Sequence, residues 1–175
     1  MNRAPLDASD PERAGALKRK VLARLTDVTR HYRALEVATQ EFGEGFDRAE
    51  FVQAAESEDP IALNRAKAVE RGLDQLFNYV AELSVLGLQL AGIRLPGDDA
   101  NARADLRQLR DLEVLGAQPC NQLVRVAGIR NRMVHDYVGV AAADVHEAVR
   151  LLRTALPGFV AGYQDWVRAG FATRA

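Results

Sequence analysis

Apolar residues recur at three- and four-residue steps along nearly the whole chain, and no stretch keeps the period-two alternation of a half-buried strand. Asp10-Pro11 opens the first helix, with Asp as N-cap and Pro at the first helical position. Leu17, Val21, Leu25, Val28, Tyr32 and Leu35 then form a buried stripe, which Gly43 and Gly45 break. A short helix is predicted from Phe46 to Ala55. Asp59-Pro60 repeats the opening device and starts the longest element, whose stripe runs Leu63, Ala66, Val69, Leu73, Leu76, Val80, Leu83, Gly87 and Leu90. Gly87 on that stripe invites close approach by another helix, and the polar segment Leu95 to Asp99 ends the element.

A third long segment is predicted as helix near Ala102 to Leu115, stopping at Gly116 as the glycine after the cap. Pro119 opens the next, with Leu123, Val126, Ile129 and Met133 inward. Asp144-Val145-His146-Glu147 has capping-box spacing for a last helix, where Val145, Val149, Leu152, Leu156, Phe159, Tyr163 and Trp166 make the stripe and Pro157 predicts a kink. The expected fold is all-α: an antiparallel bundle of four main helices with additional short ones, in one domain over residues 1–175 whose residues 1–9 form a flexible tail.

Composition narrows the class without choosing a function. Apolar residues make up 48% and charged residues 27%, as in an ordinary globular protein, and no run is apolar enough to span a membrane. The first residues lack the apolar core of a signal peptide, so the expected location is the cytoplasm. The net charge of −1 does not advertise long tracts of nucleic-acid backbone, yet permits an enzyme that engages a few phosphates in one cleft. Cys120 is the one cysteine and has no partner for a disulfide or a thiolate metal site. Phosphate-loop, dinucleotide-binding and zinc-protease signatures are absent, no serine sits in a nucleophile elbow, and His31, His135 and His146 fall on different helices. No cofactor or metal is expected.

One segment carries chemistry. Ala127 to Tyr137 brings Arg130, Asn131, Arg132, His135 and Tyr137 together at the end of an apolar helix. A neutral imidazole can take the proton of a ribose 2′-hydroxyl, and a guanidinium can stabilise the charged phosphorane that follows. On an ideal helix Arg130 and His135 stand about 140° apart. They can converge through the reach of the arginine, distortion at the helix end, or assembly with a second chain. Taken alone, such a pair is more often structural, with Arg130 in a surface ion pair with Asp136 or Glu113.

Arg130-Asn131-Arg132-Met133-Val134-His135-Asp136-Tyr137 closely resembles the R-x4-H-x-Y motif of HEPN toxins of the HepT type, the partners of minimal nucleotidyltransferase antitoxins. The Ala127-Gly128-Ile129 lead-in resembles that family too, and the likeness runs from Asp59-Pro60 to Trp166. The resemblance implies the HEPN fold and a metal-independent endoribonuclease acting on tRNA or mRNA as a homodimer, with the motifs of both protomers lining one cleft. It implies that Arg130 and His135 are catalytic, that Asn131 lines or orients the site, and that the antitoxin silences the enzyme by attaching AMP to Tyr137. Arg132 departs from the usual uncharged residue and is a candidate RNA contact. The rival reading is a non-catalytic binding or substrate-positioning subunit of a nucleotidyltransferase; a regulatory dimer that binds nucleotide without cutting RNA is the third.

Elsewhere the structural readings prevail. His31 and His146 read as packing residues, and Tyr163 and Trp166 as core or dimer interface. Arg103, Arg107 and Arg110 follow helical spacing and read as a solvated face rather than a guide for RNA.

Overall fold

The computed structural model describes residues 11–94, 101–135 and 140–171; the expected tail over 1–9, the Asp10 cap and the loop Leu95 to Asp99 lie outside them. Six helices follow in order among the described residues: α1 Pro11–Gln40, α2 Arg48–Ala55, α3 Pro60–Leu90, α4 Ala102–Asp111, α5 Ala117–His135 and α6 Ala142–Arg168. The described residues form an all-helical fold.

Each stripe buries as its period dictates. Val21, Val28 and Leu35 of α1 face Val69, Leu73, Leu76 and Val80 of α3, all in one apolar cluster with the inner faces of α5 and α6. Helices α1 and α3 run antiparallel, since Lys20 meets Glu82, His31 meets Tyr79 and Glu41 meets Arg65. Helices α5 and α6 do the same, with Pro119 against Gly158 and Arg132 against Asp144. The short α4 packs on both α3 and α5 and so roofs one end of the groove between them.

Close approaches depend on two glycines of α3 and α6. A Cβ at Gly87 would meet the Tyr163 hydroxyl and come within 2.6 Å of Trp166. Tyr163 is fully buried there, and its hydroxyl donates to the Leu83 carbonyl at 2.6 Å. Gly162 of α6 lets the Val114 carbonyl, in the turn after α4, approach the helix backbone directly.

The boundaries differ from expectation at several ends. Asp59 caps α3 as read, accepting from the Ile61 and Ala62 amides at 3.2 Å each. The α2 segment begins at Arg48 rather than Phe46, because Asp47 is the N-cap and Phe46 takes φ 65° in the turn before it. Helix α4 ends at Asp111, and Glu113 at φ 58° makes the left-handed turn expected of Gly116; the early stop sends Val114 and Leu115 into the core. The capping box at Asp144 does not form. Helix α6 starts at Ala142 with no side-chain cap, while Asp144 and Glu147 turn to Arg132 and to Arg150 and Arg125. Pro119 sits in the first turn of α5, where its missing donor costs nothing, and α6 runs through Pro157 as one helix.

Candidate active site

Leu123, Val126, Ala127 and Ile129 point α5 into the core, which leaves Arg130 and Asn131 on the edge that faces α3 and α4. Arg130 reaches across to α3. Its Nε donates to Asp74 Oδ1 at 2.8 Å and its Nη2 to Asn78 Oδ1 at 3.0 Å. Asn78 Nδ2 in turn donates to Asp74 Oδ2 at 3.2 Å, closing a ring of three side chains. Asp74 and Asn78 lie one helical turn apart, so both present to the same guanidinium edge. Arg130 is thus in a surface ion pair, as the structural reading expects, but with Asp74 rather than Glu113; Asp136 lies outside the described residues. A planar guanidinium held along its Nε–Nη2 edge keeps a fixed orientation and leaves Nη1 for another acceptor.

Beside this ring opens a cleft of about 540 Å³ between α3, α4 and α5. Phe77, Val85 and Ala127 give it an apolar floor, and Arg103, Arg130 and Asn131 stand on its polar walls. Asn131 is exposed at the edge of the cleft. Arg132 points away to Asp144 of α6, at 3.6 Å, so it neither shares nor disturbs the contacts of Arg130.

The acids of the cleft are each matched. Burial pushes the Glu82 carboxyl up, but hydrogen bonds from Lys20 and Arg24 of α1 outweigh it and hold the group below the ordinary carboxylate range. Burial raises the Asp105 carboxyl, against the pull of Arg94, with which it forms a buried ion pair. The remaining charge, on Arg103, has no ion-pair or hydrogen-bond partner among the described residues.

Residues 37–161, from the end of α1 to within α6, match the family model described as Ribonuclease HepT-like. The chain belongs to that family. The matched span holds Asp74, the described residues that line the cleft, and the whole motif to Tyr137. Comparison with curated proteins and with solved structures returns no match.

Within this HepT-like chain, the backbone of α5 is helical through His135, so Arg130 and His135 occupy one continuous helix. The His135 side chain and all of Tyr137 lie outside the described residues, and the geometry of the pair is not closed within one chain's described atoms. Two other histidines take the packing roles read for them. His146 is buried, stacks on Phe46 with centroids 4.5 Å apart, and donates from Nε2 to the Phe46 carbonyl at 2.9 Å. His31 lies against Tyr79 at the core edge. Cys120 is buried, its thiol pushed up by burial and directed at the Leu106 carbonyl. Among the described residues, no three His, Cys, Asp or Glu side chains cluster as metal ligands would. Nor is any described helix long and apolar enough to cross a membrane.

Asp74, Asn78 and Arg103 are the residues sequence reasoning did not assign to the site. Asp74 and Asn78 carried a signal, a polar pair at i and i+4 flanking the apolar stripe of α3. Nothing local connects that pair to the motif.

Proposed function

We propose that the chain is a metal-independent endoribonuclease toxin that cleaves tRNA or mRNA at the cleft beside Arg130. The observation that carries the reading is the arrest of Arg130 by Asp74 and Asn78 at the lip of an open cleft in a HepT-like fold. A guanidinium pre-oriented in this way can donate to a phosphorane without first paying to be ordered.

In the proposed reaction His135 takes the proton of the ribose 2′-hydroxyl, and the oxygen attacks the adjacent phosphorus. The P–O5′ bond breaks as the new P–O2′ bond forms, leaving a 2′,3′-cyclic phosphate and a 5′-hydroxyl. The departing 5′-oxygen needs a proton, which the equivalent histidine of a second protomer supplies. Arg130 stabilises the charge on the non-bridging oxygens and Asn131 orients the phosphate. A homodimer meets the helical geometry, since two copies of α5 can bring an arginine and a histidine to one phosphate. Arg132 is a candidate contact to flanking RNA once its exposed pairing with Asp144 opens.

Control is proposed at Tyr137, as the target of AMP transfer by a minimal nucleotidyltransferase antitoxin. An added AMP brings bulk and negative charge next to residues that bind substrate phosphate, and so opposes RNA by repulsion and obstruction. The test is cleavage of total tRNA and mRNA by partner-free protein in excess chelator, beside Arg130→Ala and His135→Ala, with intact mass showing Tyr137 unmodified. Chelator-resistant cleavage that both substitutions abolish, with cyclic-phosphate ends, is the expected result. Unmodified protein that cuts neither RNA would overturn the toxin reading and favour a non-catalytic subunit of a nucleotidyltransferase.

A further inference from the structure

Gly128 occupies a mid-helix position in α5, where glycine costs about 1 kcal/mol relative to alanine. Its neighbour across the cleft explains the cost. The Arg103 guanidinium lies over the α5 backbone at this point, with Nη2 2.9 Å from where a Cβ on Gly128 would stand. Arg103 is the second residue of α4, directly after the Asn101 cap, which accepts from the Ala104 amide at 3.1 Å. The positive end of that helix and the arginine therefore face the same opening.

The surrounding charges sharpen the point. Glu82 is matched by Lys20 and Arg24, Asp105 by Arg94, and Arg130 by Asp74. Arg103 is exposed and has no ion-pair or hydrogen-bond partner among the described residues. Its guanidinium stands on the wall of a cleft whose volume suits a ligand of nucleotide size.

We infer that Arg103 is a phosphate-binding residue, taking the phosphodiester next to the scissile one in a single strand of RNA. The apolar floor of Phe77, Val85 and Ala127 then receives the face of a base or ribose between the two phosphates. In this arrangement Arg130 serves the reacting phosphate, and Arg103 sets the register of the strand. Gly128 is the clearance that lets the Arg103 guanidinium lie low enough to do so. The inference rests on the ribonuclease reading and adds a binding position to it.

The test uses full-length protein and a labelled, mixed-sequence 2′-O-methyl oligoribonucleotide, which lacks the attacking hydroxyl and so reports binding without cleavage. Its dissociation constant is measured over a range of salt for wild type, Arg103→Ala, Arg103→Lys and Gly128→Ala. Kinetics on total tRNA are measured in parallel. Arg103→Ala is expected to weaken binding about tenfold and to lower the magnitude of the salt slope by about 0.7, the share of one phosphate contact on a single strand. KM rises while kcat stays close to wild type, and Arg103→Lys recovers part of the loss.

Gly128→Ala keeps or raises the melting temperature, because its methyl meets only the far end of a flexible side chain, yet it weakens binding as Arg103→Ala does. Wild-type binding that neither Arg103→Ala nor Gly128→Ala changes, with equal salt slopes, would overturn this assignment and leave the ribonuclease reading standing. A wild type that neither binds the oligonucleotide nor cuts tRNA would overturn both.

Discussion

Removing the carboxylate of Asp74 separates what holds the fold from what serves the chemistry. Asp74 keeps 45% of its side chain exposed and Arg130 26%, so their 2.8 Å contact works largely in solvent. Such a pair contributes at most about 1 kcal/mol to stability. For a chain of this size that corresponds to a fall of about 2–4 °C in melting temperature. Catalysis should feel more. Without Asp74 the guanidinium loses its Nε acceptor, and Asn78, which donates to Asp74, loses its own anchor. Arg130 is then free to leave the orientation along the cleft, and a misplacement of about 1 Å at a catalytic group costs on the order of 100-fold in rate. The assay is initial-rate cleavage of tRNA by Asp74→Ala, Asn78→Ala and Arg130→Ala, with melting curves on the same preparations. The expected pattern is a small thermal shift, a kcat lowered tens- to a hundred-fold for Asp74→Ala, and a smaller loss for Asn78→Ala. A kcat for Asp74→Ala within a few-fold of wild type, beside an inactive Arg130→Ala, would refute the positioning argument. It would show that Arg130 finds its working orientation from the substrate alone.

Two further outcomes probe the frame around the cleft. Gly87→Ala places a methyl against buried Tyr163 and Trp166, where overpacking costs about 1–3 kcal/mol and helix propensity returns about 1 kcal/mol. The hydrogen bond from Tyr163 to Leu83 is strained as well, so calorimetry should show a lowered melting temperature; an unchanged or raised one contradicts the close packing described. Glu82, held below the ordinary carboxylate range by Lys20 and Arg24, stabilises the fold fully above the unfolded value near about pH 4.3. That contribution is lost as pH falls through the lowered folded value. Urea midpoints of wild type and Glu82→Gln should therefore differ near neutral pH and converge in acid, and a gap that stays constant with pH would count against the pairing.

The helices were legible because helical periodicity is local. Leu73, Leu76, Val80 and Leu83 recur at steps that only a helix places on one face, and Asp59-Pro60 announces a start whose cap bonds are present. The motif from Arg130 to His135 can be picked out for the same reason, since its members are near in sequence. The partner of Arg130 cannot. Asp74 lies 56 residues earlier on another helix, and no local pattern joins the two. Arg103 is exposed, as the helical spacing predicts, but its seat against α5 could not be read, because it depends on what Gly128 leaves out rather than on any residue present. Helix ends failed where tertiary demand overrode local preference: Glu113 takes a left-handed turn that a glycine would take more easily, because Val114 and Leu115 must reach the core.

The antiparallel seam between α1 and α3 carries a meaning beyond packing. The family match begins only at residue 37, so most of α1 precedes it, yet Lys20 and Arg24 of that helix cancel the one cleft acid that α3 itself contributes at Glu82. The leading helix is thus an electrostatic shield for a groove it does not line. With Lys20 and Arg24 both replaced by alanine, Glu82 would stand as an unpaired carboxylate on the cleft wall while the apolar face of α1 stayed in the core.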